Sequence, residues 1–152
     1  MSTFRERILE KFINIYPPLV GAGIRSRSID ERTVDVEMKL TLFNRNVVGV
    51  HFGGSLYAMC DSWFMLILMR LLGSDYIVWD KAANIQFKRP GRGKVKARFH
   101  IPVERVEQIR MDADKAGKIE PTFSVDVLDE QSEVVAHVEK LLYVRRKKRE
   151  VV

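Results

Sequence analysis

The sequence contains a single cysteine, Cys60, and no recognisable pattern of metal ligands. One cysteine cannot form a disulfide within the chain, which excludes a disulfide-stabilised fold and agrees with a reducing compartment. The histidines are far apart and share none of the spacings typical of zinc sites; they are His51, His100 and His137. We therefore expect no metal site.

The start of the sequence lacks the features of a secretory signal peptide. MSTFRERILEKF has neither a continuous apolar core nor a small-residue cleavage site, and we expect a cytoplasmic protein. Charged and apolar residues are interleaved at helical spacing over residues 4–15. This pattern predicts that residues 1–18 form an N-terminal amphipathic helix ended by Pro17 and Pro18.

Length and charge restrict the classes of protein that fit. The chain has 152 residues, of which 46% are hydrophobic and 30% charged, so residues 1–152 fit one domain with its own core. Much of the net charge of +6 lies in residues 88–98 and 145–149. Like charges repel, so residues 145–152 are expected to form a solvated basic tail. No RNA- or DNA-binding motif accompanies this tail, and we do not expect nucleic acid to be a partner.

Strict alternation of apolar and polar residues predicts strands in several segments. It is clearest in residues 34–40, 95–101 and 123–127. The polar residues 129–132 separate the last of these from a further strand-like run at 133–144, which indicates a hairpin. Residues 21–28 and 76–87 resemble two more strands. About six strands of this kind favour an antiparallel sheet with one wet face.

One segment is apolar on nearly every side. Residues 55–72 have few polar positions, and Gly73 is a natural helix stop, which predicts a long buried helix. A membrane span is the alternative. Asp61 would cost such a span about 2.5–3.5 kcal/mol at mid-bilayer, so we expect no membrane span. The simplest packing is an α+β fold with one long buried helix wrapped by a curved antiparallel sheet.

The loop before this helix carries a recognisable motif. N-x-x-G-x-x-H-G-G followed by an acidic residue in the helix is matched without a gap by Asn46, Gly49, Gly53, Gly54 and Asp61. Phe52 stands in the histidine position and His51 directly before it. On these residues the sequence resembles the hotdog-fold acyl-CoA thioesterases, especially the phenylacetyl-CoA thioesterase-like branch and, more closely, an uncharacterised bacterial branch. The resemblance implies the hotdog fold.

The resemblance also implies an activity, which is hydrolysis of an acyl-CoA thioester without a cofactor. In the family, Gly53 would supply the N–H group that polarises the thioester carbonyl, and Asp61 would be the nucleophile or the general base. The rest of the motif and the basic stretch would bind substrate, the basic side chains through the coenzyme A phosphates. The residues concerned are Asn46, Gly49, His51, Phe52, Gly54, Arg92 and Lys94. Family sites lie between subunits, so a homodimer or a dimer of dimers is expected.

Other interpretations of the same residues stay open. Phe52 cannot replace the proton chemistry of histidine, which favours a non-catalytic acyl-CoA or fatty-acyl binding protein as the alternative. Asp61 can equally be structural, bonded to a neighbouring strand or to a cation such as Arg70 of the partner subunit. His51 and Asn46 can fix the loop. The basic side chains at 88–98 can be the solvated face of a strand.

Overall fold

The computed structural model describes residues 13–148. Its helices are α1 (Pro17–Gly21), α2 (Gly53–Ala58), α3 (Trp63–Leu72) and α4 (Val103–Ala116). Its strands are β1 (Ile24–Asp30), β2 (Thr33–Lys39), β3 (Tyr76–Phe87), β4 (Lys94–His100), β5 (Lys118–Ile119), β6 (Thr122–Leu128) and β7 (Val134–Arg146).

The strands form one antiparallel sheet in the order β1-β2-β4-β6-β7-β3, and the short β5 pairs with β7. Each of the six predicted strand segments contains a strand, although β1 begins only at Ile24, and the seventh strand is the two-residue β5. The alternation fixes which side of each strand is buried. In β2, for example, Val36 and Met38 are 1% and 0% exposed, whereas the alternating residues Asp35 and Glu37 face outward.

Helices α2 and α3 pack against the inner face of this curved sheet. Phe64 of α3 meets Phe99 of β4 edge to face, with ring centroids 5.1 Å apart, and stacks on Phe123 of β6 at 5.0 Å. Ile67 and Leu68, one turn further along α3, are 2% and 0% exposed. These contacts confirm the predicted α+β arrangement of a sheet wrapped around a buried helical segment.

The helical segment is interrupted, in contrast to the single long helix that the sequence predicted. α2 ends at Ala58, and α3 begins at Trp63 after a four-residue turn. The turn replaces regular helical bonds by tighter ones, such as Cys60 N–H to the Tyr57 carbonyl at 2.8 Å. The Trp63 indole closes the gap by donating to the Met59 carbonyl at 2.7 Å. Asp61 therefore lies in a turn and not inside a helix.

Gly53–Leu72 as a whole is long and apolar enough to cross a membrane by length and composition. In the structure, however, five large apolar side chains of α3 are buried in the protein core: Trp63, Phe64, Ile67, Leu68 and Leu72. α3 ends at Leu72, and the next residue, Gly73, has a φ of 82°, which suits the predicted helix stop. An exception is Met69, which is 46% exposed instead of belonging to the core.

The fourteen-residue helix α4 was not predicted. Its buried residues, Val106, Ile109 and Ala113, form a narrow stripe along a helix that is otherwise charged. Arg110 of α4 donates to the Leu71 carbonyl at 2.9 Å, and so satisfies a free carbonyl at the end of α3.

The two ends of the chain lie partly outside the described residues. Most of the predicted N-terminal helix falls in residues 1–12, and residues 13 and 14 are helical. Pro17 and Pro18 begin a new short helix, α1, because proline is tolerated in a first helical turn. At the other end, β7 includes the first two residues of the basic run, and Arg146 is 3.0 Å from Asp114.

Candidate active site

The loop before α2 is held in place by two asparagines. Asn44 is 1% exposed, and its amide donates to the Ala22 and Lys39 carbonyls at 2.8 and 2.7 Å. Oδ1 of Asn46 accepts the N–H groups of Val48 and Val50, both at 3.1 Å. Asn46 therefore makes a side-chain turn that fixes the course of the loop, as asparagine commonly does.

His51 fastens this loop to the next one. It is 3% exposed, its N–H donates to the Gly91 carbonyl at 3.0 Å, and Nε2 lies 2.8 Å from the Gly93 carbonyl. A carbonyl only accepts, so Nε2 carries the proton. Nδ1 has no partner among residues 13–148. Burial lowers the pKa of His51, which keeps the imidazole neutral. These contacts support the loop-fixing interpretation of His51.

The glycine pair begins α2. The N–H groups of Gly53 and Gly54 have no acceptor within the described part of the chain, as expected for the first residues of a helix. A side chain at either residue would meet an exposed aromatic ring. A Cβ on Gly53 would lie 2.9 Å from Cζ of Phe87, and one on Gly54 would lie 2.5 Å from Cε1 of Phe52. The helix start is thus flanked by Phe52 and Phe87, which are 55% and 56% exposed.

Asp61 is held by a cation and a hydroxyl. Its Oδ1 lies 3.2 Å from Nζ of Lys140 and accepts the Tyr57 hydroxyl at 2.8 Å. Nζ of Lys140 also donates to the Tyr57 hydroxyl at 3.1 Å. The Asp61 side chain is 50% exposed, so it is less buried than its apolar sequence neighbours suggested. The cation that the sequence left open is Lys140 of β7, whereas Arg70 donates to the backbone carbonyls of residues 30 and 31.

A second carboxylate, Asp80 of β3, completes this cluster. Its Oδ1 is 3.2 Å from Nζ of Lys140, although the angle is not that of a hydrogen bond. Burial raises the pKa of Asp80 against the opposing effect of Lys140. Burial acts to lower the pKa of Lys140, but the Tyr57 hydroxyl and both carboxylates outweigh it, and the pKa is raised. Lys140 is therefore a buried ammonium ion between two carboxylates.

Much of the basic stretch at residues 88–98 is paired with acidic side chains. The Arg98 guanidinium donates two hydrogen bonds to the Asp35 carboxylate, at 2.6 and 2.8 Å, and Nζ of Lys94 is 3.4 Å from Oε2 of Glu37. These pairs lie on the outer face of the sheet, beside a groove of about 680 Å³. Arg92, in the turn before β4, is exposed and makes no ion pair within residues 13–148. It is the freer of the two predicted phosphate-binding side chains.

The structure therefore divides the predicted site into two parts. The loop residues and the glycine pair lie together at the start of α2, and Asp61 lies beyond its end. α2 advances by about 1.5 Å per residue, and Asp61 lies three residues beyond its last residue, Ala58. The Gly53 N–H and the Asp61 carboxylate therefore lie toward opposite ends of this segment.

Sequence reasoning missed Tyr57 and Lys140, which hold Asp61, and Asp80, the second carboxylate at Lys140. A signal for Lys140 was present. It occupies an apolar phase of the alternation in β7, between Val138 and Leu142, which are both 0% exposed.

Comparisons with known proteins agree with this architecture. The family model described as "Domain of unknown function (DUF4442)" matches residues 5–144. A Pseudomonas aeruginosa protein of unknown function, described as a probable thioesterase, has a similar solved structure, with a TM-score of 0.83 and 21% identity over 93% of this chain and 96% of that one. A thioesterase from Haemophilus influenzae has a TM-score of 0.70 and 19% identity, covering 98% and 97%.

A third similar structure is a protein of unknown function from Chlorobaculum tepidum TLS, with a TM-score of 0.74 and 18% identity over 94% of this chain and 95% of that one. No curated protein matches the chain. The fold is thus the hotdog fold of thioesterase-like proteins, as the sequence motif implied. The chain belongs to the DUF4442 family.

Proposed function

We propose that the protein is an acyl-CoA thioesterase, which hydrolyses a thioester to a free acid and coenzyme A. The observation that carries the proposal is the pair of groups at the two ends of α2. At one end, Gly53 has a backbone N–H without an acceptor among the described residues, beside the exposed rings of Phe52 and Phe87. At the other end, Asp61 is a half-exposed carboxylate. These are the two groups that thioester hydrolysis needs.

The chemistry assigns one task to each group. The Gly53 N–H donates to the carbonyl oxygen, which becomes negative as the carbonyl carbon is attacked. Asp61 either attacks that carbon or removes a proton from the water that does. The carbon–sulfur bond then breaks, and the thiolate of coenzyme A leaves and takes a proton from solvent. If Asp61 was the nucleophile, water then hydrolyses the acyl–aspartyl anhydride to the free acid and the Asp61 carboxylate; if Asp61 was the base, it returns its proton to solvent.

Two copies of the chain are needed to bring these groups together. β3 is an edge strand, and residues 81–84, 86 and 87 are exposed. The other edge strand, β1, carries Arg25 and Arg27, which protect an edge against pairing. The only charged residues of β3, Asp80 and Lys81, lie in its first half, and the second half is uncharged. β3 is therefore the edge strand better suited to pair with β3 of a second copy of the chain.

One register of such a pairing would complete the site. Two β3 strands paired antiparallel about a point between Ala83 and Asn84 would set Phe87 opposite Asp80 of the partner subunit. Phe87 touches Gly53 of its own chain, and Asp80 shares Lys140 with Asp61. The Gly53 N–H of one subunit would therefore face the Asp61 carboxylate of the other.

The alternative is a protein that binds acyl-CoA without hydrolysing it. Phe52 favours it, because the exposed ring covers the helix start where the motif has a histidine. A panel of acyl-CoA esters separates the two functions. Release of free thiol from any member above the uncatalysed rate supports a thioesterase, whereas binding of the same esters without release supports the alternative.

The assembly is tested separately by light scattering. We expect a dimer or tetramer at micromolar concentration. Asn84→Lys places two like charges near the two-fold axis and should weaken the dimer. Gln131→Lys, in the exposed hairpin of residues 129–133, is the matched control. A wild-type monomer would contradict the composite site.

A further inference from the structure

The two oxygens of Asp61 are in different situations. Oδ1 accepts the Tyr57 hydroxyl and a proton of the Lys140 ammonium group, at 2.8 and 3.2 Å. Oδ2 accepts no hydrogen bond within residues 13–148, and half of the side chain is exposed. One oxygen is thus fixed and the other is free to meet a substrate or a water molecule.

Lys140 is fixed by the sheet. Its backbone lies in β7 between two paired strands, opposite Ala83 of β3 and Phe123 of β6. Its side chain is 1% exposed and points to the inner face. Strands on both sides hold the backbone, and the surrounding core encloses the side chain, so the ammonium group is held independently of the turn at residues 59–62. It defines where the carboxylate must be.

The charges of the cluster leave one negative charge unbalanced. Lys140 carries one positive charge, and Asp61 and Asp80 carry two negative charges when both are ionised. The other titratable groups that face the cluster stay neutral at pH 7. Burial raises the pKa of Tyr57 and raises that of the Cys60 thiol to about 12. Because Asp80 is also within 3.2 Å of Lys140, the lysine has a second carboxylate as counterion besides Asp61.

We propose that Lys140 is the positioning residue of this site, which holds Asp61 through Oδ1 and presents Oδ2 to the thioester. The inference rests on the proposed thioesterase function. Lys140 does not touch the reacting atoms. It acts through Asp61, in the way that a residue outside the reacting pair fixes a catalytic group in its productive geometry. Asp80 is the counterion that makes a buried lysine tolerable at this position.

The test compares variants of Lys140 with a surface lysine. Lys140→Met alone leaves Asp80 without its cation and can impair folding, so Lys140→Met/Asp80→Asn is the decisive variant, because it removes one charge of each sign. We expect a fall in kcat of about 10²-fold, with KM changed by less than about three-fold. Lys118→Met, at an exposed strand position, should leave both unchanged.

A double variant with wild-type kcat would overturn the proposal. A second measurement does not depend on turnover. The ¹⁵Nζ resonance of Lys140 should shift in Asp61→Asn, because the ammonium group loses a charged acceptor, and an unchanged resonance would refute the contact. If wild-type protein hydrolyses no acyl-CoA, the proposed function fails, and the resonance then decides whether Lys140 positions Asp61.

Discussion

Replacing Lys140 by methionine tests the buried cluster through stability alone. Methionine keeps most of the apolar stem of lysine and removes the ammonium group, so the packing against β3 and β6 changes little. Asp80 is then left without a cation, and its side chain is only 22% exposed. Removing one partner of a buried ion pair costs about 3–5 kcal/mol. Because Asp61 is half exposed and can turn to water, we expect a cost of about 2–4 kcal/mol.

Urea unfolding followed by circular dichroism measures this cost, at one fixed protein concentration because assembly contributes to stability. Lys140→Met should lower the midpoint without changing the slope. Adding Asp80→Asn removes the unpaired charge and should recover about half of the loss or more. A loss below about 1 kcal/mol, or no recovery in the double variant, would refute the idea that Lys140 is a buried ammonium ion paired with Asp80.

Three further predictions concern the loop, the glycine pair and the basic turn. His51 has a lowered pKa in the folded protein, so the unfolded chain takes up a proton first as the pH falls below about 6.5, and the folded protein loses stability. His51→Gln should remove this part of the pH dependence in unfolding experiments, and an unchanged dependence would contradict the assignment to His51. Gly53→Ala should lower kcat because the new Cβ meets the Phe87 ring, and adding Phe87→Ala to this variant should partly restore kcat. If kcat is not restored, that clash is excluded as the cause. Arg92→Gln should raise KM for acyl-CoA more than for the acyl-pantetheine, which lacks the nucleotide phosphates, and Lys118→Gln is the control. Equal effects of Arg92→Gln on the two substrates would show that Arg92 does not bind the phosphates.

The strands could be predicted because each needs only local alternation. β2, β4 and β6 bury every second residue, and that period is visible in the sequence. Helix α4 was missed because its apolar stripe is narrow, with only Val106, Ile109 and Ala113 buried on a charged helix. The break between α2 and α3 has no proline or glycine to signal it. It is closed by the Trp63 indole, a contact that appears only once the chain is folded.

The candidate site was predictable where it is contiguous in sequence. The loop and the glycine pair follow from the motif, and so does the position of Asp61. The surroundings of Asp61 were not predictable, because Lys140 is 79 residues away and reaches it only through the register of β7 with its neighbours. A lysine in an apolar phase of a strand indicates a buried partner, but the sequence does not say which carboxylate that partner is.

The most direct test of the proposed thioesterase is the turnover of Asp61→Asn with an acyl-CoA that the wild-type protein hydrolyses. Asparagine has nearly the same shape, and its oxygen can still accept the Tyr57 hydroxyl, so the fold and the binding of acyl-CoA should be retained. We predict a fall in kcat of about 10²–10⁴-fold, because the negative charge that attacks or activates water is gone. Near-native turnover by a folded Asn variant would contradict the account and make Asp61 a structural carboxylate.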